Sequence, residues 1–273
     1  MNKKIGVYIN TYNNPRNLRM AVLQVLNQVT LPHYLLVHQN NNKSTYQWAL
    51  EDIKPQLESK GIGLRYVHTP DVPEAKDYYS IAVQNLYDMG ADVFIKWDDD
   101  DIYYSHYIDT VFNALENSDA DAVVVKYGEK LVVNHEYEFQ HDKKFDFKWI
   151  HCLGGMSPTL CFTRDVAERA IELWSKSYDH YNEVMWDDKI LCYELFSSAK
   201  LNSRKLITVN DKIVACYVTD FTNKTAYIEI LNGWFQDPGK LSDFFSKALL
   251  NNKPEFIEEV YKIEKKKYLD LQK

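Results

Sequence analysis

Apolar runs alternate with helical repeats along the first part of the chain. Ile5-Gly6-Val7-Tyr8-Ile9 is an unbroken apolar run and predicts a buried strand. Asn14-Pro15 then predicts a helix start, because proline is tolerated in the first turn; Leu18, Val22, Val25, Leu26 and Val29 follow at helical spacing. Tyr34-Leu35-Leu36-Val37 predicts a second strand, followed by a polar loop from His38 to Ser44. A helix is expected over about Thr45 to Ser59, then a third strand at Leu64-Arg65-Tyr66-Val67 after Gly61 and Gly63. The next helix, Ala75 to Met89, ends at Gly90, a residue suited to the left-handed position that closes helices. Val93-Phe94-Ile95-Lys96-Trp97 is the fourth strand.

Strands alternating with helices through short links imply right-handed crossovers and a mostly parallel α/β sheet. Ligands of such sheets bind at the carboxyl ends of the strands. Three of these ends carry polar segments without glycine: Asn10 to Asn14, His38 to Ser44, and Asp98 to Asp101. Their coincidence predicts a site at these strand ends. Further on, the pattern predicts a helix over Tyr104 to Leu115 and a strand at Ala122-Val123-Val124-Val125. Residues 128–150 suggest antiparallel strands, and another strand is expected near Thr159 to Phe162. Helices are expected at Asp165 to Ser175 and Asp187 to Ser197, strands at Leu206 to Val209 and Ile213 to Tyr217, and helix over the last fifty residues. The organisation expected is one mixed α/β domain over 1–225 with a helical extension, 226–273, packed on it.

Composition narrows the function. The 273 residues carry 39 acidic against 32 basic side chains, a formal net charge of −7, which excludes a strongly basic protein and argues against a nonspecific nucleic-acid groove over the whole surface. No window approaches the roughly 20 apolar residues of a membrane helix, and polar residues follow the first lysines too early for a secretory signal. Cys152, Cys161, Cys192 and Cys216 have no metal-type spacing and are expected as reduced thiols, in keeping with a cytoplasmic protein.

The acidic surplus is concentrated. Asp98, Asp99, Asp100 and Asp101 stand in a row where the fourth strand stops. Adjacent carboxylates repel, and an ordered chain tolerates them where a cation neutralises them; oxygen ligands suit Mg²⁺, Mn²⁺ or Ca²⁺. An EF-hand is disfavoured, for want of alternate spacing and a central glycine. The competing reading is a solvated turn that caps a helix beginning near Tyr103. Trp97, Tyr103 and Tyr104 offer flat surface for a sugar or base, or are ordinary core.

Asp98-Asp99-Asp100, placed after βαβ units, resembles the DxD motif of GT-A-fold glycosyltransferases, most closely the inverting family 2 type, over roughly residues 4–225. Ile9-Asn10-Thr11-Tyr12-Asn13 is similar to that family's opening strand and nucleotide-contacting loop. Leu26-Asn27-Gln28 resembles its "hydrophobic-x-Gln" at the end of the first helix. Lys76 sits where the family often has a basic residue near the diphosphate. Gly154-Gly155-Met156 resembles the segment lining the donor sugar, and Trp186-Asp187-Asp188 the "ED" motif. The resemblance implies a divalent metal, Mn²⁺ or Mg²⁺, on Asp100, with Asp98 at the metal or the ribose. It implies nucleotide-sugar contacts from Thr11, Tyr12, Asn13, Asn40, Lys76, Asp98, Asp99, Gly154, Gly155 and Trp186. Asp188 would be the catalytic base, beside Asp187. The implied partners are a nucleoside diphosphate sugar and a glycan or glycoconjugate acceptor hydroxyl.

Two departures stand out. His38-Gln39-Asn40 occupies a place where many relatives carry an acid that pairs with the base; the Asn40 amide both donates and accepts there. No histidine precedes Asn223-Lys224-Thr225, and Asp220 is expected as a turn residue and His151 as a structural one. The alternatives are a sugar-phosphate nucleotidyltransferase, which calls for a glycine-rich loop after the first strand, and a non-catalytic nucleotide- or glycan-binding protein of the same fold.

Overall fold

The computed structural model describes residues 3–12, 15–40, 45–69, 75–125, 129–133, 139–142, 159–175, 205–209 and 215–220. The first four strands are β1 (Ile5–Thr11), β2 (Tyr34–Asn40), β3 (Gly63–Thr69) and β4 (Val93–Asp98); helices α1 (Pro15–Leu26), α2 (Lys54–Ser59) and α3 (Ala75–Asp88) join them in turn. After them come β5 (Ile102–Tyr103), α4 (Tyr107–Glu116), β6 (Ala122–Val125), β7 (Glu129–Val133), β8 (Phe139–Asp142), β9 (Cys161–Thr163), α5 (Arg164–Ser175), β10 (Leu206–Val209) and β11 (Ala215–Asp220).

The main sheet has seven strands in the order β10-β6-β9-β4-β1-β2-β3, parallel except for β9, which runs antiparallel between β4 and β6. The chain builds outward from β1 to β3 and then returns to the other side of β1 to lay down β4. That reversal is a topological switch point, and it opens a crevice at the carboxyl ends of β1 and β4.

Side-chain alternation along the strands feeds two buried layers. Val7, Ile9, Leu35, Val37, Ile95 and Trp97 pack with Leu18 and Val22 of α1, Leu57 of α2 and Ile108 and Val111 of α4. Tyr8, Leu36, Phe94 and Phe162 pack on the opposite face with Val83 and Leu86 of α3 and Val166 and Ala170 of α5. Helices therefore cover both faces, which is why the central strands read as continuous apolar runs. A second, four-stranded sheet, β5-β11-β7-β8, is built on the strand that follows the aspartate row.

Several sequence expectations change. The expected helix over Thr45 to Ser59 is instead a 3-10 turn at Gln47–Leu50 followed by the short α2, whose first turn holds Pro55. Val29 lies beyond α1 with its side chain 62% exposed, so it is no part of the helix's apolar face. β2 runs on through His38, Gln39 and Asn40, all buried, so the expected loop starts later. The strand expected at Ile213 to Tyr217 is β11, and Asp220 is its last residue, paired with Val133, not a turn. Cys161 is a buried free thiol, as expected, and burial pushes its pKa up. The Asp187–Ser197 helix and the extension 226–273 lie outside the described residues. Among the described residues no helix is long and apolar enough to cross a membrane.

Gly6 permits α3 to lie close on β1. A Cβ there would stand 2.7–2.8 Å from three side-chain atoms of the fully buried Leu86. Gly6→Ala is therefore expected to destabilise the fold by about 1–3 kcal/mol, read from urea unfolding midpoints.

Candidate functional site at the switch point

The strand register brings the predicted polar segments to one level. Asn10 of β1 stands opposite His38 of β2 on one side and Asp98 of β4 on the other, and Asn40 stands opposite Thr69. His38 is wholly buried and links three strands: Nδ1 lies 3.1 Å from Asn10 Oδ1 and Nε2 lies 2.8 Å from Thr69 Oγ1. Because the Asn10 oxygen only accepts, it requires the hydrogen on His38 Nδ1. Gln39 accepts from the Tyr46 N–H at 2.7 Å and from the Tyr66 hydroxyl, so it serves the architecture of the next turn. The buried Asn10 Nδ2 has no hydrogen-bond partner among the described residues. It is a donor at the strand end, in register with the first aspartate.

The aspartate row is a tight turn between β4 of the main sheet and β5 of the second sheet. It does not cap a helix: α4 begins only at Tyr107, with His106 at its N-cap. The solvated-capping reading is thereby overturned. The four carboxylates divide their tasks. Asp98, Asp100 and Asp101 each present an atom within 4.8 Å of the others, a group able to hold a metal ion, with Asp101 buried and the other two partly exposed. Asp99 turns to β1, where the Thr11 hydroxyl donates to Oδ2 at 2.6 Å and ties the turn to the end of that strand. Asp98 Oδ1 also lies 2.9 Å from the ammonium of Lys96, a nearly buried lysine. Tyr12, next to Thr11, is exposed at 54%.

Under the row lies an aromatic floor. Trp97, Tyr103 and Tyr107 are fully buried, with ring centroids 4.2 Å (Trp97–Tyr103), 4.7 Å (Tyr103–Tyr107) and 5.5 Å (Trp97–Tyr107) apart. Trp97 and Tyr103 are core, as is Tyr104, and not a platform for a sugar or base. The Asp98 N–H donates to the Tyr103 hydroxyl at 3.0 Å. Burial first, and then the negative charge of Asp98 and Asp101, hold the Tyr103 hydroxyl well above the usual tyrosine range, so it stays protonated.

Two glutamines fix the far side of the turn. Gln24 Nε2 donates to the Asp101 carbonyl at 3.2 Å, while Gln24 Oε1 accepts from the Tyr103 N–H at 2.7 Å. Gln28, four residues on, donates to the Tyr104 carbonyl at 2.9 Å and accepts from the Ile108 N–H at 3.0 Å. The Val29 N–H adds a bond to the Ser105 carbonyl at 2.8 Å. Side-chain amides can do this because each both donates and accepts, and so mimics a missing strand neighbour. β5 is further held by antiparallel pairing with Ala215 and Cys216.

Of the sequence-predicted site residues, the structure brings together Thr11, Tyr12, Asn40, Asp98, Asp99 and Asp100 at the ends of β1, β2 and β4. Lys76 lies in the first turn of α3. Asn13, His151, Gly154, Gly155, Trp186, Asp187 and Asp188 lie outside the described residues. Asp101 and His38, named in the sequence within the acidic row and the second polar segment, lie at the same strand ends, and Lys96 and Gln24, which adjoin them, were not singled out from sequence. The signal for Lys96 and Gln24 was present: each is a polar residue at a position that the periodicity assigns to the interior.

Comparison with known proteins agrees with this geometry. No protein-family model matches the sequence, and no curated protein matches it. Solved structures do. TarS 1–349 of S. aureus covers 91% of this chain and 73% of its own at 14% identity, with a TM-score of 0.54. The same fragment in complex with UDP-GlcNAc gives 0.55 at 12% identity, covering 89% of this chain and 64% of its own. Full-length TarS is matched over 37% of its length. The mannosyltransferase PcManGT from Pyrobaculum calidifontis, in complex with GDP-Man and Mn²⁺, gives 0.57 at 12% identity, covering 92% and 70%. The fold is thus that of GT-A-type glycosyltransferases.

Removing Gln24 takes a hydrogen-bond partner from the Asp101 carbonyl and from the Tyr103 N–H, both in buried residues. Gln24→Leu is expected to lower stability by about 1–3 kcal/mol in denaturant unfolding.

Proposed function

We propose that this chain is a glycosyltransferase that takes its sugar from a nucleoside diphosphate donor and passes it, with inversion, to a hydroxyl of a glycan or glycoconjugate. The observation that carries this reading is the three-carboxylate cluster at the switch point of a GT-A-type sheet. Those oxygens fit a hard divalent cation, Mn²⁺ or Mg²⁺, which would be held by Asp98 and Asp100 with Asp101 behind them. Bound there, the cation would offset charge developing on the leaving diphosphate. The structural neighbour in complex with GDP-Man and Mn²⁺ is in keeping with this reading.

The chain's own residues would bind and orient. Asn10 Nδ2, a buried donor lacking a partner among the described residues, is suited to an oxygen of the nucleotide. Thr11, Tyr12, Asn13 and Asn40 would contact the base and ribose, and Lys76 the phosphates. Gly154, Gly155 and Trp186 would line the sugar. Asp188, with Asp187, would take the proton from the acceptor hydroxyl as it attacks. A nucleotidyltransferase is less well supported, since Thr11-Tyr12-Asn13-Asn14-Pro15 after β1 contains no glycine.

A thermal-shift screen with UDP- and GDP-sugars, with and without Mn²⁺, tests the donor. At least one is expected to stabilise the protein in a metal-dependent manner, and Asp100→Ala should abolish the shift. Stabilisation by none, or stabilisation indifferent to metal, contradicts the reading. For the base, Asp188→Asn is expected to keep donor binding while transfer falls about 100-fold or more; unchanged transfer removes Asp188 from the chemistry.

A further inference from the structure

Lys96 is the one charged residue in the run Val93-Phe94-Ile95-Lys96-Trp97, in the strand that leads into the aspartate row. Strand alternation puts it on the same face as Phe94 and Asp98, with Tyr8 of β1 opposite in register. Only 5% of its side chain is exposed. Its ammonium lies 2.9 Å from Asp98 Oδ1 and 5.2 Å from the centre of the Tyr79 ring of α3. Burying an ammonium is costly, and a buried ion pair stabilises a fold no better than well-packed apolar residues do. An apolar residue would continue the Phe94 layer. Stability therefore does not explain a lysine here, and its charge at the base of the carboxylate cluster does have a consequence.

We propose that Lys96 is a resident counter-cation for the Asp98–Asp100–Asp101 cluster. Its ammonium competes with a divalent cation for the same negative field, so the cluster binds the metal weakly when alone. A nucleoside diphosphate brings further negative charge, outweighs the lysine, and makes metal and donor bind together. The inference rests on the function proposed above and goes beyond it, because it assigns the order of loading to one side chain outside the carboxylate set.

The test is a titration with Mn²⁺ alone, read by the electron paramagnetic resonance of the free ion, repeated with saturating UDP or GDP. Lys96→Gln removes the charge but keeps a hydrogen-bond donor to Asp98, Lys96→Met removes both, and Lys96→Arg keeps both. Loss of one buried unit charge beside a ligand carboxylate is expected to tighten Mn²⁺ binding in Lys96→Gln at least about tenfold without nucleotide. The further tightening by nucleotide should shrink, and Lys96→Arg should stay near the wild type. Thermal melts identify a Lys96→Met protein that fails to fold, in which case Lys96→Gln decides. Wild-type or weaker Mn²⁺ binding by Lys96→Gln overturns the proposal and leaves a lysine that merely orients Asp98. Asp100→Ala separates this from the larger reading. If it abolishes Mn²⁺ binding while Lys96→Gln has no effect, the metal site stands and the lysine assignment falls. If no form binds Mn²⁺, or Asp100→Ala binds it unchanged, the metal site falls and the assignment with it.

Discussion

Four consecutive carboxylates at the end of a buried strand set the constraint that the surrounding structure answers. Three of them bring atoms within 4.8 Å of one another, and at an effective dielectric near 20 each such pair repels by about 3–4 kcal/mol. The turn is held in spite of this by neutral and positive groups fixed around it. The Thr11 hydroxyl draws Asp99 away from the other three, and the Lys96 ammonium sits against Asp98. The protonated Tyr103 hydroxyl, too buried to ionise, lies against the Asp98 N–H. What remains is a concentrated negative field facing one crevice.

Position follows from topology, and precision from side chains. The return of the chain across β1 makes β1 and β4 neighbours and leaves their carboxyl ends without a crossover helix above them. A switch point alone would give an open, adjustable cleft. Here the turn is tied to the second sheet through β5, to β1 through Thr11, and to α1 and the residues just after it through Gln24 and Gln28. These tethers reach three separate segments of the chain, so the spacing of the carboxylates reports the packing around the turn and not the preferences of the turn itself.

Much of this was legible in the sequence because both faces of the sheet are covered. Ile5–Ile9, Tyr34–Val37 and Val93–Trp97 are apolar runs for that reason, and the polar residues that end them mark the strand ends at the candidate site. The misreadings share one cause. His38, Gln39 and Asn40 look like a loop because they are polar, yet each is buried in β2 with side-chain partners that the linear pattern does not display. For Trp97 and Tyr103 the sequence left a binding platform and ordinary core both open, and the contacts with one another and with Tyr107 that decide for core are brought together only by the fold. Periodicity reports whether a residue is apolar, and buried polar networks are invisible to it.

The positioning groups on the α1 side of the turn are glutamines. The helix after the row starts only at Tyr107. α1 runs along the other side of the turn, and its backbone is occupied by its own hydrogen bonds. Beside the Val29 N–H, side chains reach across, each to one carbonyl and one N–H of the segment 101–108. Gln24 in α1 and Gln28 just after it do this without adding charge. A lysine or arginine there would supply donors but would compete for the carboxylates. An acid would add a further negative charge to a turn that already carries four. The neutral Gln24 and Gln28 on this side of the turn and the ammonium of Lys96 against Asp98 are thus two parts of one electrostatic arrangement around the row.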